Sequence, residues 1–240
     1  MEYSISQILE QKEHRSWNYP SKKWSYYQEW NNALFFHYEV DKNILQDLVP
    51  DNLEIDLING KAWVSVVAFA MERIRPHFLP SVSSISNFGE INVRTYVTKD
   101  NKPGVYFLSI EAEKLMSAIL AKSLSGLPYE KSTIKRTKNS YQAQHALKGF
   151  SLGVDYHIGM EIKHKNELDL FLTERYCLYL NKGKDLFRYE IQHLPWNLNQ
   201  LELDYLQLDY KLGNLILDSN PNFIHYSTGV QVVAWEKEKL

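Results

Sequence analysis

The feature that most constrains this chain is a long series of short β-type segments, about ten of them, separated by turn residues rather than by helices of any length. Leu53 to Ile58 runs into Asn59-Gly60 and then Ala62 to Met71, and two such runs joined by Asn-Gly read as a hairpin. Phe88 to Thr98 and Val105 to Ala112 flank the turn Lys99 to Pro103. Tyr176 to Leu180 and Leu186 to His193 flank Asn181-Lys182-Gly183-Lys184. Ala33 to Val40, Tyr129 to Lys138, Tyr141 to Phe150, Leu152 to Ile162, Leu201 to Tyr210 and Phe223 to Ala234 complete the set. So many strands would leave exposed edges unless the sheet closes or doubles over. The expectation is an α+β fold, mostly β: a partly closed β-barrel with a few short helices. Helices are expected at Ile5 to Gln11, after the N-capping Asp41, from Glu113 to Ser123, and at Glu167 to Arg175.

No repeat, low-complexity tract or flexible linker divides the 240 residues, so residues 1–240 are read as one domain. A chain of this length buries enough surface to be stable without disulfides or metal, and has room for an internal pocket. Trp17, Tyr19, Trp24, Tyr26, Tyr27 and Trp30 crowd residues 1–32, which are expected to form an aromatic arm clamped onto the barrel. The 27 basic and 29 acidic side chains leave a net charge of −2, without the basic excess of a nucleic-acid binder. No basic-then-apolar leader opens the chain, and no apolar run approaches ~18 residues, so a cytoplasmic protein with no membrane partner is expected. The single cysteine, Cys177, lies in an apolar stretch and reads as a buried, inert thiol.

Candidate chemistry centres on Phe88 to Val97. In a strand, Glu90, Asn92, Arg94 and Tyr96 share one face, and Ile91, Val93, Thr95 and Val97 the other. The polar face is either wet or turned into a cavity. In the second case Arg94 is a bidentate clamp for a carboxylate and Glu90 its partner or a proton carrier. Past Ser125-Gly126-Leu127-Pro128, Tyr129 and Lys131 share a face. A lysine held in an apolar pocket becomes a nucleophile for carbonyl carbons, whereas an exposed one does not. His193, beside Trp196, either lines a mouth and moves protons or packs as a corner; Glu111 and His145 are further pocket candidates. His157 and His164 match no metal-ligand spacing, and there is no phosphate loop, Gly-x-Ser-x-Gly elbow or His-Glu-x-x-His. No cofactor and no metal are therefore expected.

Several stretches carry a family resemblance. They are Leu48 to Leu53, Phe88 to Val97, Pro103 to Phe107, Gly126-Leu127-Pro128-Tyr129, Leu172 to Tyr176, His193 to Trp196, and His225 to Val230. In that order they resemble the YqjF-like conserved proteins, which look like distant members of the acetoacetate-decarboxylase-like fold. The resemblance implies a β-barrel or cone with an internal pocket, and an acidic residue at Glu90 on a pocket-lining strand. The decarboxylase itself carries Gly-x-Pro-Lys-Lys, which supplies a Schiff-base lysine and a second lysine beside it. Here Tyr129 and Glu130 follow Pro128, and Lys131 comes one place later. Three readings stay open. One is a pocket for a small organic acid, lined by Glu90, Asn92, Arg94, Tyr96, Glu111, Tyr129 and His193. Another is a lyase or hydrolase acting on a keto acid or acyl compound, with Lys131 as nucleophile or Glu90 as acid/base. The third is an interaction module whose arm docks on a partner or a second copy.

Overall fold

The computed structural model describes residues 2–113 and 127–240. Fifteen strands appear among them: β1 (Tyr26–Val40), β2 (Glu54–Ile55), β3 (Ala62–Pro76), β4 (Phe88–Lys99), β5 (Lys102–Ala112), β6 (Glu130–Lys131), β7 (Thr133–Arg136), β8 (Ser140–Gln144), β9 (Ser151–Glu161), β10 (Cys177–Lys182), β11 (Asp185–Gln192), β12 (Leu198–Leu212), β13 (Leu215–Leu217), β14 (Phe223–Ala234) and β15 (Glu238–Lys239). Short helices punctuate them: α1 (Ile5–Glu10), α2 (Lys42–Gln46), α3 (Ser83–Ser86) and α4 (Glu167–Thr173). The helix expected from Glu113 to Ser123 falls almost wholly on residues 114–126, outside the described residues.

The strands β11-β10-β5-β4-β3-β1-β14 run edge to edge, and β11 pairs with β14 through Ile191–Ala234 and Gln192–Val233, so the row closes into a ring. Most neighbours are antiparallel; β10 and β5 are parallel, Leu178 opposite Val105. Cys177 and Gly104 make that pairing close: a Cβ on Gly104 would stand 2.6 Å from the Cys177 carbonyl oxygen. At Asn59-Gly60 both residues have positive φ, 51° and 75°, and Ile58 bridges Lys61 across the tight turn, but the expected two-strand hairpin does not form: β2 pairs with β4 through Glu54–Thr98 and Ile55–Val97 instead of with β3.

Beyond β14, β12 keeps only the Leu198–Ser227 and Asn199–Tyr226 pairs before it leaves to pair with β9 along Leu201–Asp209. The sheet β12-β9-β8-β7 folds back over the outside of the ring. Gly89 marks the closest approach, since a Cβ there would meet Ile134 Cγ2 at 2.6 Å. The main core lies between the two layers: Val64, Val66, Ile91 and Val93 from the ring against Ile134, Ala143, Leu152 and Val154 from the flap. Strands β3 and β4 are thus buried on both faces, which is why Ala62 to Met71 reads as a run that is apolar except at Ser65 rather than as an alternation.

The inner face of the ring carries Ala33, Phe35, Val67, Phe69, Ile191, Trp196 and Val232. One end is capped by α4, whose Leu172 packs on Trp63, Tyr96 and Val105. Asn166 and Asp169 form a capping box that starts this helix. The N-terminal residues lie on the outside of the ring. Ile8 of α1 is buried with Tyr27, Val233 and Trp235, while the Arg15 guanidinium donates to Glu190 Oε2 at 2.9 Å. Strand β1 begins at Tyr26, inside the aromatic stretch, and a register shift with Asn32 at φ 51° separates its two halves.

Candidate functional site

Strand β4 pairs with β3 as Arg94–Ser65, Asn92–Val67 and Glu90–Phe69, so its polar face looks into the ring with the apolar inner face of β3. All three polar residues are buried, and they line an interior cavity of about 110 Å³. The remaining wall is largely apolar and aromatic: Trp30, Phe107, Ile110, Leu178, Tyr189 and Trp196. Thr173 and Arg175 enter from the end of α4, and His193 from the end of β11.

Two polar poles result. At one, Glu90 Oε2 accepts from the Tyr129 hydroxyl at 2.9 Å and Oε1 from the Asn92 amide at 3.3 Å. Burial dominates these bonds and raises the Glu90 carboxyl to about 7. Loss of water likewise pushes the Tyr129 phenol well up, reinforced by the adjacent carboxylate. At the other pole, Arg94 Nη2 donates to the Leu172 carbonyl at 3.1 Å, and the guanidinium lies 5.7 Å from the Phe35 ring centre and 5.9 Å from that of Tyr96. Among the described residues no carboxylate pairs with it. Arg175 is different: Nη1 pairs with Asp56, Nε donates to the Phe171 carbonyl at 2.8 Å, and the head stacks 4.2 Å from the Phe171 ring centre. Burial and the neighbouring Arg94 lower its pKa against the pull of Asp56. Among the described residues, three atoms of the lining are buried without a partner: the donors Arg94 Nε and Trp30 Nε1 and the acceptor Asn92 Oδ1.

The other sequence candidates lie elsewhere. Tyr96 is fully buried, but its hydroxyl turns to the Leu172 carbonyl at 2.8 Å and away from the cavity lining. Glu111 pairs in register with Ile91, so it shares the outer face of the ring, where Ser132 donates to it and burial raises its pKa. A register shift between Val93 and Arg94 aligns Phe107 rather than Leu108 with Arg94, which brings Phe107 and Ile110 onto the cavity side and leaves Glu111 opposite. His145 bonds Glu130 on that same flap side. Lys131 is exposed. His193 both lines the cavity and packs against Trp30, Tyr176 and Trp196; burial lowers its pKa, and its Nδ1 lies 2.8 Å from the Leu194 carbonyl. Cys177 is buried and its thiol is raised to about 12, the property of an unreactive side chain. Among the described residues, no group of three or more His, Cys, Asp or Glu is arranged to hold a metal. No helix among them is long and apolar enough to cross a membrane. The sequence singles out neither Trp30 nor Arg175 as a site residue: pairing of β1 within the ring brings Trp30 to the cavity, and the docking of α4 on its end brings Arg175.

The fold of this ring of strands is that of the acetoacetate-decarboxylase-like structures. An acetoacetate decarboxylase from Legionella pneumophila superposes over 94% of this chain and 92% of its own with a TM-score of 0.59 at 12% identity. The enduracididine biosynthesis enzyme MppR, in its complex with pyruvate, covers 93% of both chains with a TM-score of 0.61 at 10% identity. At such identities the likeness is one of fold. The particular family is given by sequence: residues 27–231 match the model of DUF2071, described as an uncharacterized conserved protein, and the chain belongs to that family. YqjF of Bacillus subtilis (strain 168) is 33% identical over 229 residues, 92% of this chain and 94% of that protein.

Proposed function

We propose that the ring interior binds a small organic acid, with Arg94 as the carboxylate anchor. The observation that carries this reading is a buried guanidinium facing a cavity and paired with no carboxylate among the described residues. Burying an unpaired cation is costly, and a ligand carboxylate removes that cost while engaging Arg94 Nε and Trp30 Nε1. Asn92 Oδ1 asks the ligand for a hydroxyl or N–H donor at the opposite pole, and the apolar wall between favours a short hydrocarbon body. A cavity of about 110 Å³ suits a molecule of roughly six heavy atoms or fewer, since a 150 Å³ apolar cavity takes benzene. The pyruvate held by MppR is of this size class, which supports small keto and hydroxy acids as first probes.

Thermal shift with pyruvate and lactate tests the proposal. A ligand at 100 times its Kd adds about 2.7 kcal/mol, roughly 5–10 °C for a chain of this length. The shift is expected to disappear in Arg94→Gln and to weaken in Arg94→Lys, which keeps charge but not the fork. A shift that survives Arg94→Gln places the carboxylate elsewhere.

A second reading, turnover of such an acid, rests on Glu90. A carboxyl near 7 with a phenol on one oxygen is matched to proton transfer at neutral pH. Tyr129 and Glu130 occupy the places of the decarboxylase lysines and Lys131 is exposed, so this chemistry would run through Glu90 as acid/base without a Schiff base. Proton–deuterium exchange at the carbon beside the carbonyl of pyruvate, lost in Glu90→Gln while binding persists, would establish it; exchange unaffected by the substitution would remove Glu90 from the chemistry.

A further inference from the structure

Behind Arg94 lies an array of side chains that the cavity itself does not use. Asp169 Oδ1 stands 3.2 Å from His225 Nε2. His225 Nδ1 is 3.1 Å from His37 Nε2, and His37 Nδ1 is 2.6 Å from Ser65 Oγ. Ser65 Oγ is 2.5 Å from the Tyr96 hydroxyl, which reaches the Leu172 carbonyl at 2.8 Å. The chain thus crosses α4, β14, β1, β3 and β4 and returns to α4. The Leu172 carbonyl at its end also accepts from Arg94.

Each link between neighbouring heteroatoms needs one hydrogen. The links are Asp169–His225, His225–His37, His37–Ser65, Ser65–Tyr96 and Tyr96–Leu172, five in all. With Asp169 ionised, neutral His225, neutral His37, Ser65 and Tyr96 supply one each, four in all. Wherever they are placed, one link sets lone pair against lone pair. A fifth hydrogen fills every link in one direction: His225 donates from both nitrogens, to Asp169 and to His37; His37 donates to Ser65, Ser65 to Tyr96, and Tyr96 to Leu172.

We propose that this array is a proton-binding site, taking one proton from solvent, sharing it between His37 and His225, and balancing it with the Asp169 carboxylate. The charged groups facing the pair are Asp169 on α4, Arg94 on β4, and Lys165 before α4, which is itself paired with Glu174 at 2.6 Å. Burial favours the neutral form of both imidazoles; Arg94 adds to this for His37 and Lys165 for His225, while Asp169 opposes it. The bound proton cancels the Asp169 charge behind the cavity and completes the bonds that hold the Leu172 carbonyl against Arg94. His37, His225, Ser65 and Tyr96 are then positioning residues for the cation of the pocket.

The test counts ring N–H groups by ¹⁵N NMR of the full-length protein labelled in histidine, at pH 7, with the rings of His37 and His225 assigned. The loaded array gives three protonated nitrogens out of four; a neutral pair gives two. Ser65→Ala leaves three links and three neutral hydrogens, and so does Tyr96→Phe, so both variants are expected to release the proton and return the count to two. A role confined to packing would not move the count. Two protonated nitrogens in the unmodified protein overturn the proposal whether or not either variant folds, and so does a third N–H that persists in either variant.

Discussion

Replacing Glu90 with Gln isolates the cost of a buried carboxylate. The carboxyl rises from 4.5 to about 7 because folding strips its water and returns only the Tyr129 and Asn92 hydrogen bonds. A shift of that size is worth about 3 kcal/mol at 1.36 kcal/mol per unit. Between pH ~4.5 and ~7 the folded protein holds a proton that the unfolded chain has released, so stability falls as pH rises across that window. The contribution is fully present below the lower limit and gone above the upper one. Gln is neutral throughout, accepts from Tyr129 through Oε1, and can present its amide to Asn92 Oδ1 once that side chain flips. The difference in unfolding free energy between Glu90→Gln and the unmodified protein, from urea titrations at pH 5, 6, 7 and 8, is therefore expected to grow in favour of the variant by about 2.5 kcal/mol over that range, roughly 5–10 °C in Tm. Background titration of other groups cancels in the difference. A flat difference, or one that grows in favour of the unmodified protein, would mean that Glu90 stays ionised in the fold and that burial is not the controlling term.

Other perturbations test the frame around the cavity. Gly229→Ala forces a Cβ to within 2.4 Å of the Trp30 carbonyl at a φ of 129°, so urea titration should show a loss of ~2 kcal/mol or more; a neutral outcome would mean that β1 and β14 do not approach so closely. Arg15→Ala removes one of two buried guanidinium partners of Glu190 and leaves it with Arg188, Lys102 and Trp17, so it should cost about 2 kcal/mol; a change under ~0.5 kcal/mol would show the N-terminal residues only loosely attached. Lys131→Ala should leave stability within ~0.5 kcal/mol, and borohydride with pyruvate should leave no adduct on Lys131, as mass spectrometry of the peptides would reveal.

The mostly β class was legible because strand periodicity and turn chemistry are local: Asn59-Gly60 announces a tight turn whatever surrounds it, although the strand before that turn, β2, pairs with β4 and not with β3. The shared face of Glu90, Asn92 and Arg94 was legible for the same reason, since it follows from a period of two within one strand. Which way that face turns was not. Burial of β4 on both sides depends on the flap returning over the ring, a contact between Gly89 and Ile134 that nothing local encodes. Register decides Glu111: it alternates as properly as Phe107, and only the shift between Val93 and Arg94 separates their faces. Arg175 follows a seven-residue helix, so its entry into the cavity depends on how α4 caps the ring. The proton array was least accessible of all, since His37 and His225 lie 188 residues apart and meet only because β1 and β14 are neighbours.

The charge inventory of the cavity ties these sites into one expectation. Arg175 is balanced by Asp56, Arg94 pairs with no carboxylate among the described residues, and Glu90 is largely neutral below pH ~7 and ionised above it. On the proposed reading the cavity therefore presents a net positive charge to an anion at pH 6 and loses it as Glu90 ionises. The array adds to the same trend, because releasing its proton exposes the Asp169 charge behind Arg94. Pyruvate is thus expected to bind more tightly at pH 6 than at pH 8 by isothermal titration calorimetry. The two causes separate by substitution: Glu90→Gln should remove the part that follows the carboxyl, Ser65→Ala the part that follows the array, and the double variant should bind with little dependence on pH. Affinity that rises with pH in the unmodified protein would refute the electrostatic account, because the only changes it allows between pH 6 and 8 make the cavity less hospitable to an anion.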